Sequence, residues 1–362
     1  MKKSIFLMMA VFIFSTSPGF AQDIIQQLPT KFNGTRYMFT VFGDTRTSEL
    51  GSLDGHDVVF SLARNKVFQS ISEQLTHQKA SFSLFTGDLI WQGGTPAYWE
   101  EPGNYFPEAV RSKIFPIPGN HETWNDPLLT NYFSFFPHLE KNHNYYFTVG
   151  NSLFLSLCTG GYVGEYSKEL SFAQDRKFTC TQGDYTQLQL PSFLKETAAR
   201  MAASGAPLKN MFVQYHKPSF SYFKHPPLEK GSDPVDALKA FGQKNNKVQI
   251  FVFNGHNHTT ELYQPAANIS VLVAGGGGAP QTILSPDLPS TAVKEIYAAK
   301  GVKEVFWKAL GSTTQNRTQR INYWTIEVDN AVNQVTIIEK VLTFTGRESV
   351  FVNGLTIVNG QL

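Results

Sequence analysis

Five short stretches of the chain concentrate side chains that bind metal ions: Gly43-Asp44-Thr45-Arg46, Thr86-Gly87-Asp88-Leu89, Pro118-Gly119-Asn120-His121-Glu122, Tyr215-His216-Lys217-Pro218 and Asn254-Gly255-His256-Asn257-His258. In the last, two imidazoles stand at i and i+2 behind a glycine, a spacing that points both to one side of an extended chain and lets them reach two neighbouring ions. Alone, the pair reads equally well as ordinary loop histidines. Carboxylate and amide oxygens mixed with imidazole nitrogens suit Zn, Mn or Fe better than Ca or Mg.

Each stretch follows an apolar run with strand character. The pattern predicts strands over 36–42, 80–85, 113–117, 208–214 and 248–253, the last apolar enough to be buried on both faces. Between them, Val67, Phe68, Ile71 and Leu75 share one face of a helix predicted over 65–79. Leu194, Ala198 and Met201 do the same over 187–203, with Pro191 near the start. A shorter helix over 234–242 has Asp233 as its N-cap and Pro234 in its first turn. Strand, turn, helix, strand is the α/β rhythm, and in open α/β sheets ligands gather at the carboxyl ends of strands, so the five loops are expected to share one rim. A hairpin is predicted around Gly150, a strand over 269–274 running into Gly275 to Gly278, and a closing hairpin from 322–328 and 334–341. Four consecutive glycines suit a backbone passing close to other groups. They are not the GxGxxG dinucleotide pattern, which needs a strand-to-helix setting.

The 362 residues carry a formal net charge of +2, which gives no ground for nucleic acid or an anionic membrane as an obligatory partner. Lys2 and Lys3, an apolar run over 5–14 and the small residues Gly19 and Ala21 predict a signal peptide over 1–21, cleaved after Ala21. The run is shorter than the roughly 20 residues that span a bilayer. The expectation is therefore one secreted or periplasmic domain over 22–362, off the membrane after cleavage, its C-terminal strands completing the fold. Cys158 and Cys180 either form a disulfide, as export permits, or stay separate thiols.

In order, the loops read GD, GD, GNHE, H and GHxH. This succession resembles the calcineurin-like metallophosphoesterases over about residues 37–278, and the middle and late motifs with the glycine run look most like the bacterial relatives of purple acid phosphatases. The resemblance implies an α/β fold of four layers, αββα, with two central mixed sheets. It implies a hydrolase of phosphate esters that uses two divalent or trivalent transition metal ions (Zn, Mn or Fe). Asp88 would bridge the ions, Asp44 and His258 would complete one site, and Asn120, His216 and His256 the other. His121 would be the general acid that protonates the leaving group, with Glu122 orienting it or raising its pKa.

Two positions depart from the family's pattern. Arg46 stands where the first motif has a histidine, and Trp91 where purple acid phosphatases have a tyrosine. Neither a guanidinium nor an indole ligates such an ion, so the Asp44/His258 site keeps three protein ligands and no purple tyrosinate-to-iron colour is expected. Water, or His56 from the first loop, would fill the gap; otherwise the protein holds a single metal. Arg46 suits bidentate binding of substrate phosphate, or a salt bridge. Trp99, Trp124, Tyr162, Phe220 and Tyr222 either ring the pocket or pack, Lys217 reads as a solvated lysine, and His77, His138, His143 and His225 read as surface residues. The expected activity is phosphomonoester hydrolysis of acid-phosphatase type on a small phosphorylated substrate, without nucleic acid. A phosphodiesterase or nucleotide hydrolase is the alternative, and a non-catalytic phosphate-binding module is the reading from another class. Nothing in the sequence fixes the oligomeric state.

Overall fold

Aromatic side chains at alternating strand positions bring two sheets face to face. The computed structural model describes residues 25–29, 32, 34–46, 55–159, 189–221, 228, 233–279, 303–306, 321–345 and 348–360. The sheet strands in chain order are β1 (Gln26–Gln27), β2 (Arg36–Phe42), β3 (Phe82–Phe85), β4 (Ile114–Pro116), β5 (Tyr145–Val149), β6 (Ser152–Ser156) and β7 (Asn210–Gln214). They continue with β8 (Gln249–Asn254), β9 (Thr260–Ala266), β10 (Ile269–Ala274), β11 (Lys303–Phe306), β12 (Asn322–Asp329), β13 (Gln334–Thr345) and β14 (Glu348–Val358). One sheet has the order β14-β13-β12-β2-β3-β4, the other β1-β5-β6-β7-β8-β10-β9-β11. Both are mixed: β2, β3 and β4 run parallel, as do β6, β7, β8 and β10, while β12 pairs antiparallel with β2 and β13.

Between the sheets lies a layer of phenylalanines. Phe39 stacks on Phe82 at 5.2 Å within one sheet and meets Phe154 at 5.2 Å and Phe212 at 5.0 Å edge-on from the other. All four are at most 1 % exposed. Helices cover the sandwich. On α1 (Gly55–Thr76), Val67, Phe68, Ile71 and Leu75 bury into the cluster that holds β2 and β3. After α2 (Ala97–Tyr105), the helices α3 (Leu190–Ala203) and α4 (Val235–Lys244) bury Leu194, Met201, Leu238 and Phe241 against Val213, Ile250 and Val252 of the second sheet. The result is the expected α/β arrangement of two mixed sheets with helices outside.

Details differ from the sequence reading. Helix α1 starts ten residues before the predicted 65, at Gly55, and ends at Thr76. Strand β14 was not expected, because Asn353-Gly354 reads as a turn; in the fold that dipeptide lies where the β13–β14 register shifts between Ile338 and Lys340. Strand β9 was masked by Pro265. Asp233 does serve the start of α4, its Oδ1 accepting the Val235 N–H at 2.9 Å. Cys158 is disulfide-bonded, and Cys180, the one other cysteine, lies outside the described residues, as does the predicted leader. Among the described residues no helix is long and apolar enough to cross a membrane. Phe39→Ala is expected to cost about 3–5 kcal/mol in urea unfolding, since both sheets lose a shared contact; a loss below about 1 kcal/mol would contradict this packing.

Candidate metal centre

The five loops leave β2, β3 and β4 of one sheet and β7 and β8 of the other, and they interlock before any side chain is considered. Asp44 N–H donates to Gly87 O at 2.9 Å, Thr45 N–H to Asp88 O at 3.0 Å, and Gly255 N–H to His216 O at 2.9 Å. The glycine run lies against them: Gly277 N–H donates to Gly43 O at 3.0 Å, and a Cβ at Gly277 would stand 2.1 Å from that same oxygen. Asp44, Asp88 and His256 adopt left-handed backbone conformations, with φ of 53°, 61° and 69°. Such strain in residues other than glycine collects where a side chain must be aimed.

All seven predicted ligand and acid residues converge. Asp88, His216 and His256 form one group of potential metal ligands and Asp44, Asp88 and His258 a second, with ligand atoms within 4.8 Å of one another in each. Asp88 belongs to both. Asn120 Oδ1 stands 3.1 Å from His216 Nε2 and 3.0 Å from His256 Nδ1, which puts it in the first group. His258 Nε2 lies 3.6 Å from Asp44 Oδ1, which also accepts the His256 N–H at 2.8 Å.

His121 stands beside the groups. Its Nδ1 donates to Trp91 O at 2.6 Å, its own N–H donates to Asp88 Oδ1 at 3.1 Å, and its Nε2 is 3.9 Å from Asp88 Oδ2. Burial lowers its pKa to about 4, with Arg46 pushing the same way against the pull of Asp88. The expectation that Glu122 backs this imidazole is corrected. Glu122 turns the other way and accepts the backbone N–H groups of Asp88 (2.8 Å), Leu89 (2.6 Å), Ile90 (3.4 Å) and Gly119 (2.7 Å). Its position three residues after Gly119, at the start of the helical turn Asn120–Thr123, is the signal that would have shown this, since a glutamate there reaches back to the cap N–H.

The two departures from the motif pattern meet each other: the Arg46 guanidinium carbon lies 4.8 Å from the Trp91 ring centroid. Of the other residues weighed, Trp99 is core, its indole N–H donating to Gly93 O at 3.0 Å, and Phe220 packs on Tyr263. Trp124 stands against His121, with ring centroids 4.2 Å apart. His138 and His143 are half-buried packing residues rather than surface ones, while His77 is exposed. The side chain of His56, and Tyr162, Tyr222 and His225, lie outside the described residues.

A family model for calcineurin-like phosphoesterases matches residues 37–260. The chain belongs to that family. Solved structures of similar shape include a dimetal phosphatase from Danio rerio (TM-score 0.49, 12 % identity, 88 % of this chain and 98 % of that one). GAP50 of the Plasmodium inner membrane complex (0.43, 13 %, 88 % and 89 %) and a putative 5'-nucleotidase from Staphylococcus aureus (0.38, 13 %, 89 % and 54 %) are others. None of the curated proteins matches the sequence significantly.

Calcineurin-like phosphoesterases use divalent metal ions, and the donor set of this metallophosphoesterase fits them. Because His216 Nδ1 donates to Thr86 O at 2.7 Å, a neutral His216 presents a lone pair at Nε2, where it meets the oxygens of Asn120 (3.1 Å) and Asp88 (3.4 Å). Three acceptors facing one point need a cation or a proton. Asp44 Oδ2 is buried with no hydrogen-bond partner among the described residues. Burial and the charge of Asp88 hold the Asp44 carboxyl well above the usual range. At His216 burial opposes the charged ring, yet Asp88 overrides it and pushes the pKa up to about 9.

A metal entering the first group must therefore displace the His216 proton. Below that pKa the metal-free protein holds the proton and the loaded one does not, so apparent affinity rises with pH up to about 9. Calorimetric Zn or Mn titrations in buffers of different ionisation enthalpy are expected to show release of at least about one proton near pH 7. Binding without proton release would show that His216 is not displaced.

Proposed function

We propose that the protein is a binuclear metal-dependent phosphatase that hydrolyses phosphomonoesters of small molecules. The observation that carries this reading is the sharing of Asp88 between two buried ligand groups. Asp44, Asp88 and His258 would hold one ion, and Asp88, Asn120, His216 and His256 the other. Such a pair, when bound, activates a water and neutralises the charge that develops on the phosphoryl group.

This chain's own residues supply the rest. Trp91 O fixes the His121 ring through Nδ1, which leaves Nε2 facing the site. A phosphate dianion beside that nitrogen favours its protonated form, the form an acid needs. His121 then delivers the Nε2 proton to the leaving oxygen. Arg46, steadied on Trp91, offers a planar fork to two phosphoryl oxygens, an arrangement that rewards the doubly charged monoester over a diester. The order of the motifs and the glycine run support a place among the bacterial relatives of purple acid phosphatases, with Trp91 in place of a tyrosinate ligand. The leader and the Cys158 disulfide support export to the periplasm or the medium, and the small net charge supports a small substrate rather than nucleic acid.

Assays with p-nitrophenyl phosphate and bis-p-nitrophenyl phosphate after loading with Mn, Zn or Fe test the reading. Monoester turnover is expected, and His121→Ala should lower kcat about 10²–10⁴-fold on esters with poor leaving groups while metal content is kept. Diester turnover alone would replace the monoester reading. Bound metal with neither activity would favour a phosphate-binding module.

A further inference from the structure

We infer that Trp124, braced by Trp91, is the stacking wall of a leaving-group subsite, and that the substrates are phosphate esters whose leaving group carries an aromatic ring. The inference rests on the phosphatase reading and deepens it.

The backbone brings the two indoles together by an unusually close approach. Gly93 N–H donates to His121 O at 2.9 Å and Gly94 N–H to Trp124 O at 2.8 Å, so the loop after β3 is zipped onto residues 121–124. A Cβ at Gly93 would lie 1.8 Å from Glu122 O, so only glycine permits this contact. As a consequence Trp91 and Trp124 meet edge-to-face at 5.6 Å and 86°, and the His121 ring touches both, at 5.1 Å and 4.2 Å.

Exposure separates these tryptophans from the packing ones. Trp99 and Trp324 are 7 % and 0 % exposed, whereas Trp91 and Trp124 are half-buried although they sit beside buried ionisable groups. Trp91 has a further neighbour in the Arg46 guanidinium. Trp124 has Trp91 and His121 as its ring neighbours among the described residues and is half-buried, so part of its surface faces solvent. The acid role of His121 then decides what that surface can meet. A leaving oxygen protonated at His121 Nε2 carries its substituent next to the indole packed 4.2 Å from that imidazole. A planar aromatic substituent covers an indole by stacking, which an aliphatic chain does less well.

The test uses the full chain loaded with Mn and two non-hydrolysable probes, phenylphosphonate and methylphosphonate, titrated by calorimetry. The phenyl compound is expected to bind about three- to tenfold more tightly. Trp124→Leu should bring it down to the methylphosphonate level and Trp124→Phe should keep most of the preference. Methylphosphonate binding in the Leu variant reports that its site is still assembled. Equal binding of the two probes to the wild type, failure of phenylphosphonate to bind, or a preference that survives Trp124→Leu would each overturn the inference. The phosphonates need no turnover, so a phenyl preference in a protein that hydrolyses nothing would sink the phosphatase reading and leave the aromatic wall standing.

Discussion

One buried carboxylate holds the centre together. Glu122 is fully buried and gathers the N–H groups of Asp88, Leu89, Ile90 and Gly119, which come from the loops after two neighbouring strands. Removing it would strand those donors in the interior at about 1–3 kcal/mol each. The grip also explains the left-handed turn at Asp88, whose backbone is bonded on one side to Glu122 and on the other to the Asp44 loop. The arrangement has a cost of its own: burial and the charge of Asp88 push the Glu122 carboxyl up to about 7. Three carboxylates held this close in a dry site repel one another, and positive charge between Asp44 and Asp88 relieves that repulsion.

The same constraint ties the fold to the chemistry. Asp44, Asp88 and Asn120 ride on one sheet, while His216, His256 and His258 ride on the other. The distance between carboxylates and imidazoles is therefore set by how the sheets pack, and that is set by rings such as Phe39 against Phe212. Thirty phenylalanines look like a compositional oddity until the layer between the sheets is seen. The core fixes the spacing of the donors, and the loop hydrogen bonds fix their aim.

Much of this was legible in the sequence because strand and loop signals are local. Apolar runs that stop at a glycine followed by Asp, Asn or His marked four of the five strand ends, Tyr215-His216 closing the fifth without a glycine, and their order implied a shared rim. What escaped depends on direction rather than position. Glu122 follows His121, so sequence adjacency suggested partnership; in the helical turn Asn120–Thr123 successive side chains diverge, and Glu122 faces the backbone while Trp91 O takes the imidazole. Arg46 and Trp91 read as two separate losses of a ligand, and nothing local shows that the two side chains stack. Strand β14 escaped because Asn353-Gly354 carries the signature of a turn that β-pairing overrides.

Anomalous diffraction from crystals grown with Mn or Zn distinguishes an Asp88 carboxylate shared by two ions from a site that holds one. Two peaks roughly 3.5–4 Å apart are expected, one beside Asp44 and His258 and the other beside Asn120, His216 and His256, with the Asp88 carboxylate between them. A single peak, or two peaks that do not flank Asp88, would show that this carboxylate is not shared between two ions.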